Sequence, residues 1–278
     1  RQRCTDNGTS RTVRCARRLT LIDSMERTLP AGIRITSVSK KDGHLETDYV
    51  AVEEPLEIQL DGRPLVITMR TPGHDKELTA GFLYSEGLVN NVGDIQSIKE
   101  NPLSPEPDLP DVSSTQNIKG DRILVKLRTS VEPSTIKRAQ REFRATAACG
   151  VCGKEKLEDL AQELPKISSV TCSRTLLEAL PQRLRQKQEL FEATGGIHAA
   201  GLFTLDGELL SVREDIGRHN AVDKLVGHFL LKNELPLHDR ILVVSGRAGF
   251  ELVQKALKAA IPIMVSVGAA PSLAVEMA

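Results

Sequence analysis

One stretch of the chain does most to fix its class. Ile241–Val244 is a short, wholly apolar run of β-prone residues, Phe250–Ala259 follows with helical spacing, and Ile263–Val267 is a second strand-like run. Two strands joined through a helix do not form a hairpin; the crossover sets them side by side and parallel. This βαβ unit predicts an α/β fold with at least part of one sheet parallel. Ligands of such sheets bind outside the carboxyl ends of the strands. Here that position carries Val244-Ser245-Gly246-Arg247-Ala248-Gly249. Ser245, Gly246 and Arg247 are therefore candidates for a diphosphate cradle. The segment is not a Walker A loop, which needs Lys followed by Ser or Thr after its last Gly. Val244-Ser245, Ala248 and Leu252 recur as Val265-Ser266, Ala269 and Leu273. That is a strand, a small-residue turn and a helix start repeated, as two successive βα units would give.

The preceding residues add shorter elements. Tyr49–Val52, Leu56–Leu60 and Leu65–Met69 read as strands, with Asp61-Gly62 as a hairpin turn. Asp75–Glu86 has Leu78, Phe82 and Leu83 at helical spacing and a stop at Gly87. Pro102, Pro105, Pro107 and Pro110 mark a long loop or insertion. Arg122–Leu127 is a strand, and Thr135–Phe143 a helix that Ser134 is placed to cap. Helical pattern also covers Lys156–Glu163, and Gln182–Glu192 after Pro181 at a first helical position. Ala200–Leu205 and Glu208–Val212 flank a second hairpin at Asp206-Gly207, and Asn220–Lys232 is a helix. Residues 1–33, with seven Arg among small polar residues, read as a disordered basic leader rather than a transit peptide or binding arm. The expected organisation is that leader, a β-rich N-terminal subdomain over 34–140, and an α/β domain over 141–278.

Across 278 residues, 37 basic and 37 acidic side chains cancel, so no global field favours nucleic acid or a membrane surface. Any anion site must be local. No apolar run nears the roughly 18 residues of a membrane span, and no signal-peptide core is present. A cytoplasmic location is the expectation. Five cysteines is an odd count, and only Cys149 and Cys152 are close neighbours; Cys4, Cys15 and Cys172 stand apart. In a chain without an export signal such a pair points to catalysis or metal binding rather than to a disulfide framework.

The pair lies in Ala148-Cys149-Gly150-Val151-Cys152-Gly153-Lys154. A cysteine reacts as thiolate, and a nearby cation or helix N-terminus lowers its pKa. Lys154 and the helical pattern from Lys156 offer both. Gly150 and Gly153 leave room for a large partner to approach. Four readings stay open on these residues alone: half a zinc site, a thioredoxin-like redox pair, a sulfur-transfer nucleophile, or an inert pair. The zinc reading lacks a second CxxC, and the six His show no pair at ligand spacing. Two more segments are candidates. Thr194-Gly195-Gly196-Ile197-His198 places a Gly pair before a strand, either an anion-facing turn or a helix cap. Arg213-Glu214-Asp215-Ile216-Gly217-Arg218-His219-Asn220 precedes a helix, where Arg218 and the helix N-terminus favour phosphate. The competing reading puts Arg218 in a structural ion-pair network with Glu214 and Asp215.

These segments occur together and in order, along with Val50-Ala51-Val52-Glu53-Glu54-Pro55-Leu56, Leu78-Thr79-Ala80-Gly81-Phe82-Leu83-Tyr84-Ser85-Glu86-Gly87, Ala221-Val222-Asp223-Lys224-Leu225 and Ser272-Leu273-Ala274-Val275-Glu276. In that series the sequence resembles the formate dehydrogenase accessory sulfurtransferase family, also written FdhD/NarQ, from about Asp48 to Ala278. The resemblance implies a carrier that takes sulfur from a cysteine desulfurase as a persulfide. It would pass that sulfur to the bis(molybdopterin guanine dinucleotide) molybdenum cofactor before insertion into formate dehydrogenase. Cys149 matches the persulfide cysteine and Cys152 its partner. Thr194, Gly195, Gly196, His198, Arg218, His219, Ser245, Gly246 and Arg247 would hold the cofactor, with no permanent metal. The implied fold of 141–278 is a cytidine-deaminase-like α/β/α sandwich with a mixed sheet, in a homodimer. The family pattern runs on past Ser272–Glu276, and its C-terminal end is missing from this chain. Two alternatives compete: a zinc-dependent deaminase-like enzyme and a non-catalytic cofactor-binding chaperone. The deaminase would need a His- or Cys-x-Glu pair, which the sequence lacks.

Overall fold

In the computed structural model of the protein, the described residues are 32–39, 45–101, 121–144, 165, 167 and 169–278. The chain begins with a two-stranded antiparallel ribbon, β1 (Ile33–Ser39) and β2 (Leu45–Ala51). β3 (Glu54–Leu60) turns into β4 (Arg63–Arg70) through Asp61 and Gly62, both at positive φ. A two-residue turn of that kind matches the right-handed twist of the strands. Leu56, Ile58 and Leu60 alternate inward on β3. They give it a single buried face.

α1 (Asp75–Ser85) follows, its Leu78, Phe82 and Leu83 buried, and it stops where Gly87 takes a positive φ. The Leu88 N–H then reaches back 2.8 Å to the Leu83 carbonyl. β5 (Ile95–Glu100) and β6 (Asp121–Leu127) complete a sheet ordered β4-β3-β6-β5, in which β3 and β6 run parallel. α2 (Pro133–Arg144) starts two residues before the expected Thr135. Ser134 is therefore inside the helix and not its cap. Pro133 takes the first helical position, where its missing N–H costs nothing, and the Glu132 carbonyl accepts from Thr135 and Ile136.

α3 (Arg174–Arg185) corrects a second expectation. Pro181 lies inside this helix, which ends at Arg185, and the chain restarts as α4 (Glu189–Thr194). A proline inside a helix removes one hydrogen bond and crowds the preceding turn. Burial of Leu180 and Leu184 on either side of it holds the helix together across that defect.

β7 (His198–Thr204), β8 (Leu209–Asp215), α5 (Arg218–Leu231), β9 (Arg240–Arg247), α6 (Phe250–Lys258), β10 (Ile263–Gly268) and α7 (Ser272–Met277) form the rest. The second sheet is ordered β10-β9-β7-β8. β9 and β10 are parallel, as the βαβ reading requires, and the other pairs are antiparallel. One face packs Ala199, Phe203, Ile241 and Val243 against Leu180 and Leu184 of α3. The other packs Ala200, Leu202, Leu242 and Val244 beneath Val222, Leu225, Val226 and Phe229 of α5. The result is a mixed α/β fold, with an α/β/α sandwich over its second half.

The two sheets share one core, and α1 and α5 meet within it. A Cβ placed on Gly81 would lie 1.8 Å from the Asp223 carbonyl oxygen, and one on Gly227 would lie 1.8 Å from that of Glu77. The helices therefore cross with their backbones in contact, which only glycine permits on both sides. The basic leader through residue 31, the Pro102–Pro110 stretch, the expected Lys156–Glu163 helix, and Cys4, Cys15, Cys149 and Cys152 lie outside the described residues. Helix propensity alone would make Gly81→Ala stabilising by about 1 kcal/mol. Overpacking at the crossing reverses the sign, with an expected loss of about 1–3 kcal/mol for Gly81→Ala or Gly227→Ala. Urea-unfolding midpoints of the two variants against the parent chain check this; a midpoint at or above the parent's would contradict the crossing.

Candidate functional site

The carboxyl ends of β8, β9 and β10 and the start of β7 share one edge of the second sheet, since His198 pairs with Asp215 and Ala200 with Val244. A buried ion pair anchors this edge. Asp215, fully buried, lies 2.7 Å from the Lys224 ammonium, itself 1% exposed. Asp215 also accepts from the backbone N–H groups of Thr71 (3.1 Å) and Gly217 (2.8 Å) and from Asn220 Nδ2 (3.0 Å). Lys224 donates to the carbonyls of Thr71 and Glu214. A buried pair is tolerable when its remaining hydrogen-bonding capacity is met in this way. The network fixes the turn between β8 and α5 against the end of β4. It leaves the first residues of α5, capped only by the backbone of Gly217, at the sheet edge.

Ser245 follows the buried run of β9, which ends at Val244. Its Oγ accepts from the Ala199 N–H at 2.9 Å and sits 3.5 Å from His198 Nδ1. Gly246 lies between the His198 ring and the Arg218 stem: a Cβ there would be 3.4 Å from His198 Nδ1 and 3.6 Å from Arg218 Cδ. Burial lowers the pKa of His198, and the charges of Arg218 and His219 lower it further, while Asp215 pulls the other way. The ring is thus neutral at pH 7 and can exchange hydrogen bonds without adding charge.

The cleft beside this edge has a volume of about 510 Å³, and its walls include Gly195, Gly196, His198 and Ser245. Those four expected residues are brought together, with Arg218 and Gly246 adjoining His198. Arg247 is exposed at the end of β9, its side chain packed over Gly268. Of the two readings of the segment from Thr194, the helix cap is the one that forms at Gly195. Gly195 caps α4 at positive φ with its N–H bonded to the Phe191 carbonyl, and the Thr194 hydroxyl donates to the Leu190 carbonyl. His219 faces away from the cleft. It pairs with Glu251 at 2.9 Å and lines a separate 290 Å³ cavity with Phe82, Asp223 and Lys255.

Glu214 and Asp215, proposed partners of Arg218 in the structural reading, are engaged by other groups. Glu214 receives the N–H groups of Leu190 and Phe191 at 2.9 Å each, capping α4, while burial pushes its pKa up. Gln188 and Phe191 also line the cleft and were not singled out from the sequence. A helix drawn through 182–192 hides them. Ending it at Arg185 places Gln188 in the connection to α4. The CxxC cysteines lie outside the described residues. Among the described residues no group of three or more His, Cys, Asp or Glu is arranged to hold a metal ion. None of the described helices is long and apolar enough to cross a membrane.

Two measurements test this arrangement. Lys224→Met leaves Asp215 charged and buried without its partner, and should cost about 3–5 kcal/mol in urea unfolding. A loss well under 1 kcal/mol would show that the pair anchors nothing. NMR titration should place His198 below the ordinary histidine value, and Arg218→Ala should move its midpoint up. Because the folded-state pKa is depressed, His198 costs stability as pH falls through the unfolded histidine value of about 6.5, where the unfolded chain takes up the proton more readily.

Comparison with known proteins fits this architecture. The model of the FdhD/NarQ family matches residues 51–278. "Sulfur carrier protein FdhD" of Corynebacterium efficiens is 46% identical over 238 residues, covering 83% of this chain and 82% of that protein. The protein of the same name from Streptomyces coelicolor is 46% identical over 244 residues (86% and 83%). That from Sulfurisphaera tokodaii is 41% identical over 249 residues (88% of each). A crystal structure from Desulfotalea psychrophila, assigned as a formate dehydrogenase accessory protein, superposes with a TM-score of 0.61 at 22% identity and covers 88% of this chain and 86% of that one. At that identity the likeness is one of fold. With the family model spanning most of its length and relatives this similar along most of both chains, the chain belongs to the FdhD/NarQ family.

Proposed function

We propose that this chain is a sulfur carrier in formate dehydrogenase maturation, taking sulfur from a cysteine desulfurase and delivering it to a bis(molybdopterin guanine dinucleotide) molybdenum cofactor. The observation that carries this reading is the 41–46% identity, over more than four-fifths of both chains, to proteins named sulfur carrier protein FdhD. In the loading step the Cys149 thiolate attacks the terminal sulfur of the donor's persulfide. The donor leaves as thiolate, and Cys149 keeps the sulfur as its own persulfide. Cys152 is the neighbouring thiol, and its thiolate attacks the inner sulfur of the Cys149 persulfide. The outer sulfur leaves as hydrosulfide for the cofactor as substrate, and the two electrons come from the dithiol as it closes to a Cys149–Cys152 disulfide. A homodimer that meets the desulfurase and the recipient dehydrogenase in turn is part of the same proposal.

The sheet edge supports the delivery half. The pyrophosphate of a guanine dinucleotide arm needs concentrated positive potential, and a chain with balanced charge must build it locally. Arg218 at the N-terminus of the 14-residue α5 combines a guanidinium with the positive end of a helix dipole. Ser245 and Gly246 give hydroxyl and backbone contact next to it, and Arg247 adds an exposed cation at the strand end. Neutral His198 offers a hydrogen bond at the same edge. His219, committed to Glu251, would contribute only if that pair opened.

After incubation with a cysteine desulfurase and cysteine, the parent chain should gain the mass of one sulfur atom, reducible by thiols. Cys149→Ala should not gain it, and Cys152→Ala should load more weakly than the parent; loading of Cys149→Ala would remove the assignment. Titration with GDP at low salt should weaken about ten- to a hundredfold in Arg218→Ala and in Arg247→Ala, the equivalent of about 1.5–3 kcal/mol per lost charge-assisted hydrogen bond. Unchanged affinity in both variants would put the nucleotide elsewhere.

A further inference from the structure

Gln188 lies in the connection between α3 and α4, on the wall of the 510 Å³ cleft. It is only 4% exposed, and its side-chain Nε2 is buried with no hydrogen-bond partner among the described residues. A buried amide donor without an acceptor is a net cost to the folded chain, so one that persists asks for a use. Its surroundings narrow that use. Pro181, Leu184, Phe191, Ile197 and Val267 make most of the cleft wall apolar. His198 and Ser245, the polar groups of the sheet edge, form its other side. Arg185 also lines the cleft, but its guanidinium is paired with Glu192 at 2.5 Å and lies over the Phe191 ring. That leaves the Gln188 amide as the donor without an acceptor on an otherwise largely apolar wall, a setting that suits a flat heterocycle carrying a carbonyl or ring-nitrogen acceptor. The terminal amide torsion of Gln has broad wells, so Nε2 can turn into the cleft when an acceptor arrives.

We infer that Gln188 is a specificity-determining residue: it donates to the base of a nucleotide seated in this cleft, with the phosphates held separately by Arg218 and Arg247. This rests on the cleft being the nucleotide site proposed above, and adds the residue that reads the ring. The geometry divides the ligand between two kinds of contact. Charge at the sheet edge takes the phosphates without regard to the base, while the α3–α4 connection takes the base through the Gln188 amide.

The experiment titrates the whole chain with two probes, GDP and inorganic pyrophosphate, by calorimetry. Gln188→Leu keeps side-chain volume and removes the donor; Gln188→Glu keeps the shape and replaces the donor by an acceptor. Both should weaken GDP binding about tenfold and leave pyrophosphate binding within twofold of the parent chain. Without ligand, Gln188→Leu should melt about 2–4 °C higher, because an unsatisfied donor is replaced by an apolar group. If Arg218→Ala and Arg247→Ala weaken both probes while the Gln188 variants bind GDP normally, the role of Gln188 is wrong and the site stands. If no variant alters either probe, the site reading fails and takes this inference with it. Equal weakening of both probes in Gln188→Leu, or a lower melting temperature, would overturn it as well, since the residue would then be structural.

Discussion

The contact between the α1 and α5 backbones governs what the rest of the molecule can do. With Gly81 and Gly227 each seated on the other helix's carbonyl oxygen, the two helices have no side chains between them at the crossing. The flanking polar groups must turn outward along the crossing and find partners there. Glu77 meets Arg213 through two hydrogen bonds and His228 at 2.9 Å. Burial works against its charge, yet Arg213, His74 and His228 hold its carboxyl well below the usual carboxylate range. On the opposite side Asp223 accepts from Ser85 of α1 and binds Lys255 of α6 through both oxygens. Burial works against the charge of Lys255, and Asp223 and Glu86 outweigh it, so its pKa is raised. Close approach at the two glycines thus sets an ionic cluster on either side of the crossing.

The functional edge inherits its rigidity from that arrangement. α5 is fixed along its length by Gly227 and at its start by Asp215, Lys224 and Asn220, which are tied to Met69 of β4 or to Thr71 just beyond it. Arg218 and His219, the first two residues of the helix, are carried on a support that belongs to both sheets. They look to different sides. Arg218 lies beside His198 and Gly246, whereas His219 is drawn to Glu251 of α6. Adjacent residues on a helix point about 100° apart, so neighbours in sequence need not share a site.

That geometry marks the border of what could be read from the chain itself. The Asp61-Gly62 turn, the βαβ unit and the inward alternation of β3 are written in local patterns, and each formed as those patterns require. The crossover sets Ser245 and Gly246 at the carboxyl end of β9, whereas His198 reaches the same edge through the antiparallel pairing of β7 with β9, which no local pattern shows. Pro181 and Ser134 mislead for the same reason: a local preference, about 3 kcal/mol against proline inside a helix and about 1 kcal/mol for a serine cap, is overridden by the burial of Leu180 and Leu184 in one case and by the better-suited Pro133 in the other. Gln188 carries no signal of its own in the polar run 185–188. Its position matters only because α3 stops at Arg185. The glycine crossing was equally silent, since a glycine in a helical pattern reads as a weakness until its neighbour in space is known.

The crossing also bears on how the chain acquires its structure over time. Glu77 and His228, partners across it, stand 151 residues apart in sequence. Contacts of such separation are reached only after a large entropic toll of loop closure, and they slow folding. During synthesis the first sheet and α1 emerge from the ribosome long before α5 exists to cover them. Over that interval α1 exposes a bare backbone notch and an apolar face. The nascent chain would then be most open to chaperones, and to misassociation with other copies, until residue 231 has been made and α5 can dock.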